Sequence, residues 1–417
     1  MKNQTENATS SLPTPTSKTT PPEGLILGIQ KPIFWLGIVS FLTDISSEMI
    51  LSVLSIFLTV VLGASSVILG IMEGAADFAA SSLDFIAGYL SDKTGKRKVI
   101  AILGYAFSTL AKTILVISST ISAVVAFRVV ERLGKSVRGA PRDALISSIT
   151  YKDKLGYSFG FHKAMDKTGA VLGPFIAYLL LTSLGQNLAT FQLIFWIALI
   201  PAAIAVIVMF FSIKEKPVTS TNKPRRFFSV YNSLEKDFKR YLKIAGLFSL
   251  GYFSFAFLLL KAYDAGFQIN DVTLLYAIFN VSFIILSIPL GKLGDKIGRN
   301  KIIMLEYFIY FLLCIGFIFV NSQVGIVLLF LLYGAFYAID EGQTKAYISQ
   351  ITKDEHRGSA LGISNFINGL IYLPASLIAG FLWNSVSPAA TFGFAATTSL
   401  AALIFFIIFQ YQNPQKA

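Results

Sequence analysis

The residues with most capacity for chemistry in this chain are charges placed in its most apolar surroundings. Residues 128–143 read RVVERLGKSVRGAPRD. At 100° per residue, Arg128, Arg132, Lys135 and Arg142 fall within about ±40° of one another on a helix. The same spacing puts Asp44 and Glu48 on one face, and it keeps Glu73, Asp77 and Asp84 within about 40° of each other. Glu131 and Arg138 belong to the same basic stretch, and Asp166 follows in another apolar segment. A charge facing lipid near a bilayer centre costs roughly 2.5–3.5 kcal/mol. A set this large would exceed the stability of about 5–15 kcal/mol that a typical protein has to lose. These groups must therefore face a cavity, or one another.

A partly desolvated carboxylate beside an arginine changes its proton affinity as a cavity opens and closes, which is what proton coupling requires. Asp44, Glu48, Glu73, Asp77, Arg128, Glu131 and Arg132 are the candidates for proton coupling and for lining a substrate cavity. The competing chemistry is a hard cation held by the oxygens of Asp44, Glu48, Glu73 and Asp77. The neighbouring arginines oppose it. One Cys and two His exclude a disulfide framework and a Cys/His metal cluster. No G-x-x-x-x-G-K-[ST] run provides for ATP. No nucleophile–base arrangement is visible either, so an enzyme is not expected. No cofactor is expected beyond a proton gradient as energy source.

The elements that must position these charges follow from composition. The chain has 417 residues, 54% hydrophobic and 14% charged, where a soluble domain carries about 25% charge. A membrane span needs about 20 mostly apolar residues. That window predicts twelve, near 33–62, 67–90, 98–118, 121–140, 157–182, 190–213, 243–263, 272–291, 301–320, 324–342, 358–383 and 388–410. SDKTGKRK, PRDALISSITYKDK, GDKIGRNK and TKDEHRG connect them at one side, and GASS, SSTI, SLGQN, NSQVG and NSVSP at the other. By the positive-inside rule the basic side is cytoplasmic, and both termini lie there. The formal charge of +12 is then a topology signal, with no nucleic-acid partner implied. The first 22 residues, rich in Ser, Thr, Pro and Asn, do not read as a cleavable signal.

The chain also repeats. GYLSDKTGKRK (88–98) recurs as GKLGDKIGRNK (291–301) at an offset of 203, and ALISSIT (144–150) as AYISQIT (346–352) at 202. A duplicated six-span unit follows, one of the ways transporters are built. The expected organisation is a disordered tail over 1–32, a six-helix bundle over 33–213, a linker over 214–242, a second bundle over 243–410 and a tail over 411–417.

These residues resemble the major facilitator superfamily over nearly the whole chain. Gly88, Leu90, Asp92, Gly95, Lys96 and Arg97 match its signature loop between spans 2 and 3, and Gly291, Asp295, Gly298 and Arg299 match the second copy. Arg128 and Glu131 match a span-4 motif of drug antiporters, although Arg132 stands where Gly is usual. Gly169, Gly173 and Pro174 resemble the antiporter glycine series, which then departs at Phe175 and Ile176. LSVLSIFL (51–58) lacks the prolines common in that group.

The resemblance implies an all-α membrane protein with twelve transmembrane helices in two pseudo-symmetric six-helix bundles. It implies an alternating-access secondary transporter of the inner membrane, a monomer whose partners are lipid, protons and a small solute. The preferred activity is proton-coupled export of an amphipathic organic solute; the alternatives are an importer or a divalent-metal carrier, and a transport-dead receptor. Gly88, Asp84, Asp92, Gly95, Arg97, Lys135, Arg138, Asp166, Gly291, Asp295, Gly298, Arg299, Asp340 and Lys345 are the expected cytoplasmic gate. The repeat aligns Arg138 and Asp143 with Asp340 and Lys345. That reversal of sign would suit contacts between the halves. Tyr252, Phe253, Phe255, Phe257, Tyr276, Phe279, Tyr333, Phe336 and Tyr337 dominate the second half; most read as packing or lipid-facing residues, and the inferred division of labour is an aromatic substrate wall in this half with the coupling charges in the first.

Overall fold

The computed structural model describes residues 25–26, 29–94, 96–150, 155–213, 231, 234–353 and 357–412. Nearly all of them are helical. In chain order the helices are α1 (Lys31–Ile56, continued by a π-helical turn Phe57–Val61), α2 (Ser66–Thr94), α3 (Arg97–Ile117), α4 (Ile121–Ile149), α5 (Leu155–Leu184) and α6 (Leu188–Ser212). The second set is α7 (in two pieces, Lys236–Gly251 and Ala256–Asp264), α8 (Ile269–Ile297), α9 (Arg299–Phe319), α10 (Gln323–Ile351 with a π-helical turn Asp340–Thr344), α11 (Arg357–Ser385) and α12 (Pro388–Gln412). Ahead of α1, Leu25–Ile26 pairs antiparallel with Ile29–Gln30. Ile29 is fully buried there, so the N-terminal segment is docked at those positions.

Eleven of the helical segments are long and apolar enough to cross a membrane, among the described residues. α4 is not one of them, because its charges defeat the hydropathy criterion that its 29 residues of length would satisfy. It crosses by packing against α2 and α3. Elsewhere the outward faces are apolar. On α3, Leu103, Phe107, Leu110 and Ile117 are exposed at helical spacing and face lipid. α7 begins at Lys236, earlier than hydropathy predicts. Its first turns are amphipathic: Phe238, Tyr241 and Leu242 are buried, while Lys236, Arg240 and Lys243 are exposed.

α1 packs on α5 and α6, and α3 on α4 and α6; α8 packs on α10, and α9 on α12. The most extensive pairings between these sets are α2 with α11 and α5 with α8, and α1 also touches α7 and α8. Glycine allows the closest crossings. A Cβ on Gly169 would lie 2.5 Å from the carbonyl oxygen of Phe41, and one on Gly173 2.6 Å from that of Ile45. The antiporter-like glycines are thus the groove in which α1 lies. Between α2 and α11 the contact comes from both sides, with Gly70 against the Ser376 carbonyl and Gly380 against that of Ser66.

The repeat is visible in hydrogen bonds. Arg97 Nη1 donates to the Ala144 carbonyl at 3.2 Å, and Arg299 Nη1 to that of Ala346 at 2.8 Å. Each arginine clamps the start of one helix (α3, α9) to the end of the next (α4, α10). The connection after α2 is one residue longer than that after α8, where Gly298 alone turns the chain at φ 91°. This deletion changes the repeat offset from 203 to 202 and pairs Arg299 with Arg97.

Gly173→Val should be destabilised by about 1–3 kcal/mol, because the facing atoms are backbone and cannot swing aside. Gly139→Ala, with nothing within 4 Å of its Cβ, should melt as the parent does. Thermal melting in detergent distinguishes them.

Candidate functional site

Between the two sets of helices lies a cavity of about 460 Å³, lined among others by Asp44, Glu48, Arg128, Arg132, Lys135, Arg138, Asp166 and Lys167. A second, of about 300 Å³, adjoins it and shares Arg128, Arg132, Tyr276, Phe279, Tyr337 and Glu341. Tyr252, Phe253, Phe255 and Tyr333 complete its aromatic side. Seven of the nine expected aromatic residues line this second space; Phe257 and Phe336 are buried in the core instead.

The α4 arginines find their partners on α2. Arg128 holds Glu73 in a bidentate pair, Nε to Oε1 at 3.0 Å and Nη2 to Oε2 at 2.8 Å. Arg132 Nη2 lies 2.8 Å from Asp77 Oδ1. These parallel contacts follow from the matched i, i+4 spacing of the two helices. Asp44 and Glu48 line the same cavity but take no arginine. Glu48 accepts the Tyr276 hydroxyl at 2.5 Å, and the Asp44 carboxyl is within hydrogen-bonding reach of Asp166. Asp166 also accepts from Ser40 at 2.7 Å. The four carboxylates considered as a hard-cation site are therefore divided among different partners.

Behind this wall lies a second polar cluster. Lys112 on α3 is completely buried and donates to Ser46 at 2.5 Å and Ser47 at 3.1 Å. Ser46 in turn donates a hydrogen bond to the Ala198 carbonyl of α6. Ser47 and Ser108 donate to Glu131, whose Oε2 is 3.7 Å from Arg128 Nη1. Glu131 thus belongs to the interior of the first half, away from the cavity surface.

Two hydrogen bonds cross between the halves at this depth. One is Tyr276 to Glu48; the other is Ser254 Oγ to Glu73 Oε2 at 3.1 Å. Ser254 sits in the break of α7, where Tyr252–Phe255 leave the helix. Tyr310 donates to the freed Gly251 carbonyl at 3.0 Å, and Ser254 Oγ accepts from the Ala256 amide at 3.2 Å. An interrupted helix of this kind is tolerated in a membrane only where its backbone groups are satisfied again beside a cavity.

The expected gate residues distribute unevenly. Arg97 and Arg299 make the carbonyl clamps described above. Gly294 packs on Gln343, and Asp295 is exposed without a partner among the described residues. Gly291 is half-buried and meets only the tip of Gln343. Gly95 and the side chains of Asp84, Gly88 and Asp92 lie outside the described residues. The expected sign-reversed contact between the halves does not form. Arg138 stacks on Tyr105 of its own half at 4.8 Å, Lys345 pairs with Glu341 one turn earlier, and Asp340 lines the aromatic cavity. The ion pair that joins the halves here is Lys163 to Glu341 at 3.5 Å.

Sequence reasoning missed Ser254, the role of Tyr276, and Glu306. Glu306 is 2% exposed in α9, accepts from Thr344 at 3.0 Å and makes no ion pair among the described residues. A lone Glu in the apolar run IIMLEYFIYFLL was its signal.

The Major Facilitator Superfamily profile matches residues 36–339 and, in a second placement, 242–417. The chain is 38% identical to an uncharacterized MFS-type transporter of Methanocaldococcus jannaschii, over 91% of this chain and 95% of that one. The nucleoside transporter NupG has a similar structure, with TM-score 0.74 at 14% identity, covering 91% of this chain and 99% of that one. The peptide transporter POT matches with TM-score 0.74 at 14% identity, covering 95% and 96%.

Arg128→Gln should cost about 3–5 kcal/mol, because it leaves Glu73 buried without its partner. Adding Glu73→Gln should recover more than half of that loss. A double-mutant cycle on melting free energies measures the coupling.

Proposed function

The chain belongs to the major facilitator superfamily, and from that premise we propose a proton-coupled exporter of a small amphipathic organic solute. It is a secondary transporter of that superfamily. Coupling, direction and substrate are the proposal. The carrying observation is the unequal treatment of carboxylates around one cavity. Glu73 and Asp77 are neutralised by arginines, whereas Asp44 and Glu48 have no Lys or Arg within ion-pair distance among the described residues.

An ionised carboxyl without a cation is expensive to desolvate, so closing the cavity favours taking up a proton and opening it favours release. Two carboxyls that approach as Asp44 and Asp166 do are joined by a hydrogen bond only through a shared proton. Asp44 and Asp166 bridge α1 and α5, and Tyr276 links Glu48 to α8 in the other half. Protonation would therefore change the contacts that hold α1, α5 and α8 together.

The orientation adopted is basic loops and both termini in the cytoplasm, by charge bias. Export is supported by the antiporter-like residues Arg128, Glu131, Gly169, Gly173 and Pro174. The remaining gate residues, Asp84, Asp92, Asp295, Asp340 and Lys345, are proposed to act at the cytoplasmic end. The metal-carrier alternative has less support, because Glu73 and Asp77 already serve arginines.

In proteoliposomes with an entrapped pH dye, solutes from a chemically varied panel should move protons through the parent protein. Asp44→Asn and Glu48→Gln should each reduce that movement at least about tenfold, the loss of roughly 1.4 kcal/mol of coupling. Their melting temperatures should stay near the parent value. Unchanged proton movement in both variants would overturn the coupling assignment.

A further inference from the structure

Three cations on the cavity wall have no carboxylate within ion-pair distance among the described residues. Among the described residues, seven Lys and Arg side chains and four carboxylates line the larger space. Four of the cations have a carboxylate within ion-pair distance: Arg128 with Glu73, Arg132 with Asp77, Arg142 with Asp143, and Lys163 with Glu341, which Lys345 shares. The other three, Lys135, Arg138 and Lys167, make no ion pair among the described residues. Of the carboxylates on the cavity wall, Asp44 and Glu48 likewise lack a cation. Asp44 is within reach of another carboxyl and Glu48 is held by a tyrosine hydroxyl, and neither comes within ion-pair distance of the three cations.

Hydrogen-bond capacity is skewed the same way. Arg138 is 3% exposed, and its Nη1 finds no acceptor among the described residues. Arg128 Nη1 and Arg132 Nε are also buried donors without an acceptor. A buried guanidinium with unused N–H groups is costly, and an anionic oxygen is the group that best relieves it. Lys167 lies 4.4 Å above the Phe283 ring and 5.7 Å from that of Tyr337, so this cation is held against aromatic surface. Tyr276, Phe279 and Tyr337 then face the cations from the second half, across the same space. Ring faces of this kind accept a flat apolar body.

We propose that the cavity binds an aromatic organic anion, its acidic group among Lys135, Arg138 and Lys167 and its ring against Tyr276, Phe279 and Tyr337. This rests on the transport reading and narrows it: the amphipathic solute carries negative charge. The cations on α4 and α5 select the charge, and the aromatics on α8 and α10 select the body. The ligand thus touches both halves, as a solute that drives alternating access must.

Indole-3-acetate, indole-3-acetamide and tryptamine share one ring system and differ in charge, and they serve as probes on the purified full chain. Binding to the folded state raises the melting temperature. At about 10 mM the anion should raise it, with the neutral amide and the cation well behind. Lys135→Gln together with Lys167→Gln should weaken anion affinity at least about tenfold, while Lys→Arg at both positions should restore it. Lys301→Gln, an exposed lysine outside the cavity, should leave it unchanged. No stabilisation by the anion overturns the inference, as does preference for tryptamine. Equal shifts with all three probes, insensitive to the lysines, also overturn it by showing that the rings alone bind. Tracer flux in proteoliposomes separates the two readings. Lysine-dependent anion binding without any flux leaves the anion site standing and defeats the transport reading. Proton-coupled flux of the cation or amide, indifferent to both lysines, does the reverse.

Discussion

The pairing of Arg128 with Glu73 sets the terms for the rest of the structure. A guanidinium at membrane depth is tolerated only when its charge and hydrogen-bonding capacity are met by groups fixed in place. α4 carries too much charge to qualify as a span by hydropathy, so it depends on its neighbours for insertion. α2 supplies Glu73 and Asp77, and α3 supplies a close backbone surface. A Cβ on Gly134 would lie 2.6 Å from the Ser108 amide, and one on Gly104 2.7 Å from that of Arg138. These pairings add less net stability than their short distances suggest, because both charges are desolvated. Their effect is on specificity: only one arrangement of α2, α3 and α4 leaves no arginine facing lipid.

Two copies of one scaffold are filled differently. The clamps from Arg97 and Arg299 to the carbonyls of Ala144 and Ala346 show how closely the backbone repeats. At the middle of the membrane the likeness ends. Glu73 on α2 has Tyr276 as its counterpart on α8, and each reaches the opposite half, Glu73 to Ser254 and Tyr276 to Glu48. Rings and hydroxyls replace charges in the second half because they can contact lipid-depth surfaces without a counter-ion. Charges do remain there: Asp340 and Glu341 line the cavity, and Glu306 is buried in α9 with a hydroxyl as its partner, Thr344, at the π-helical turn of α10. π-helical turns occur often at functional positions, since they expose backbone groups that a regular helix would use.

Helices, repeat and charged faces were legible because each is a periodicity in one segment. Contacts between segments were less so. The i, i+4 spacing showed that Arg128 and Arg132 share a face, but it left α1 and α2 equally eligible to meet them. The packing selects α2, which lies along α4 while α1 lies along α5 and α6. The break in α7 has no proline to announce it, and it persists through Tyr310, a residue far along the chain. The sign reversal between Arg138 and Asp340 suggested a bridge, yet local geometry prevailed: Tyr105 captures the guanidinium before it can cross. The one-residue deletion after α8 was already present in the two offsets, 203 and 202. Its meaning required seeing which arginine makes the clamp.

The contacts at the two ends of the cavity are unequal, and the inequality bears on how the protein moves. Opposite the basic loops, α2 and α11 meet backbone to backbone through Gly70, Gly74 and Gly380, and Ser66 donates to the Gly380 carbonyl at 3.3 Å. Gln186 adds bonds to Gln268 at 3.3 Å and Asn270 at 3.0 Å, with Asn270 donating to Thr182 at 3.1 Å. Towards the basic loops a Cβ on Gly369 would meet Ser81, and one on Gly362 would have nothing within 4 Å. The ion pair there, Lys163 to Glu341, is half-exposed on the lysine side, and such pairs contribute about 0–1 kcal/mol. Opening the packed end means separating backbones that fit closely, along with several hydrogen bonds of about 0.5–1.5 kcal/mol each. Among the described residues, opening the basic end separates that screened ion pair and the contacts of Lys167 with Phe283 and Tyr337. A solute bound among Lys135, Arg138 and Lys167 therefore has its easier route towards the basic loops. Reversal requires something that weakens the packed end, and a change of contacts between α1, α5 and α8 is placed to do so.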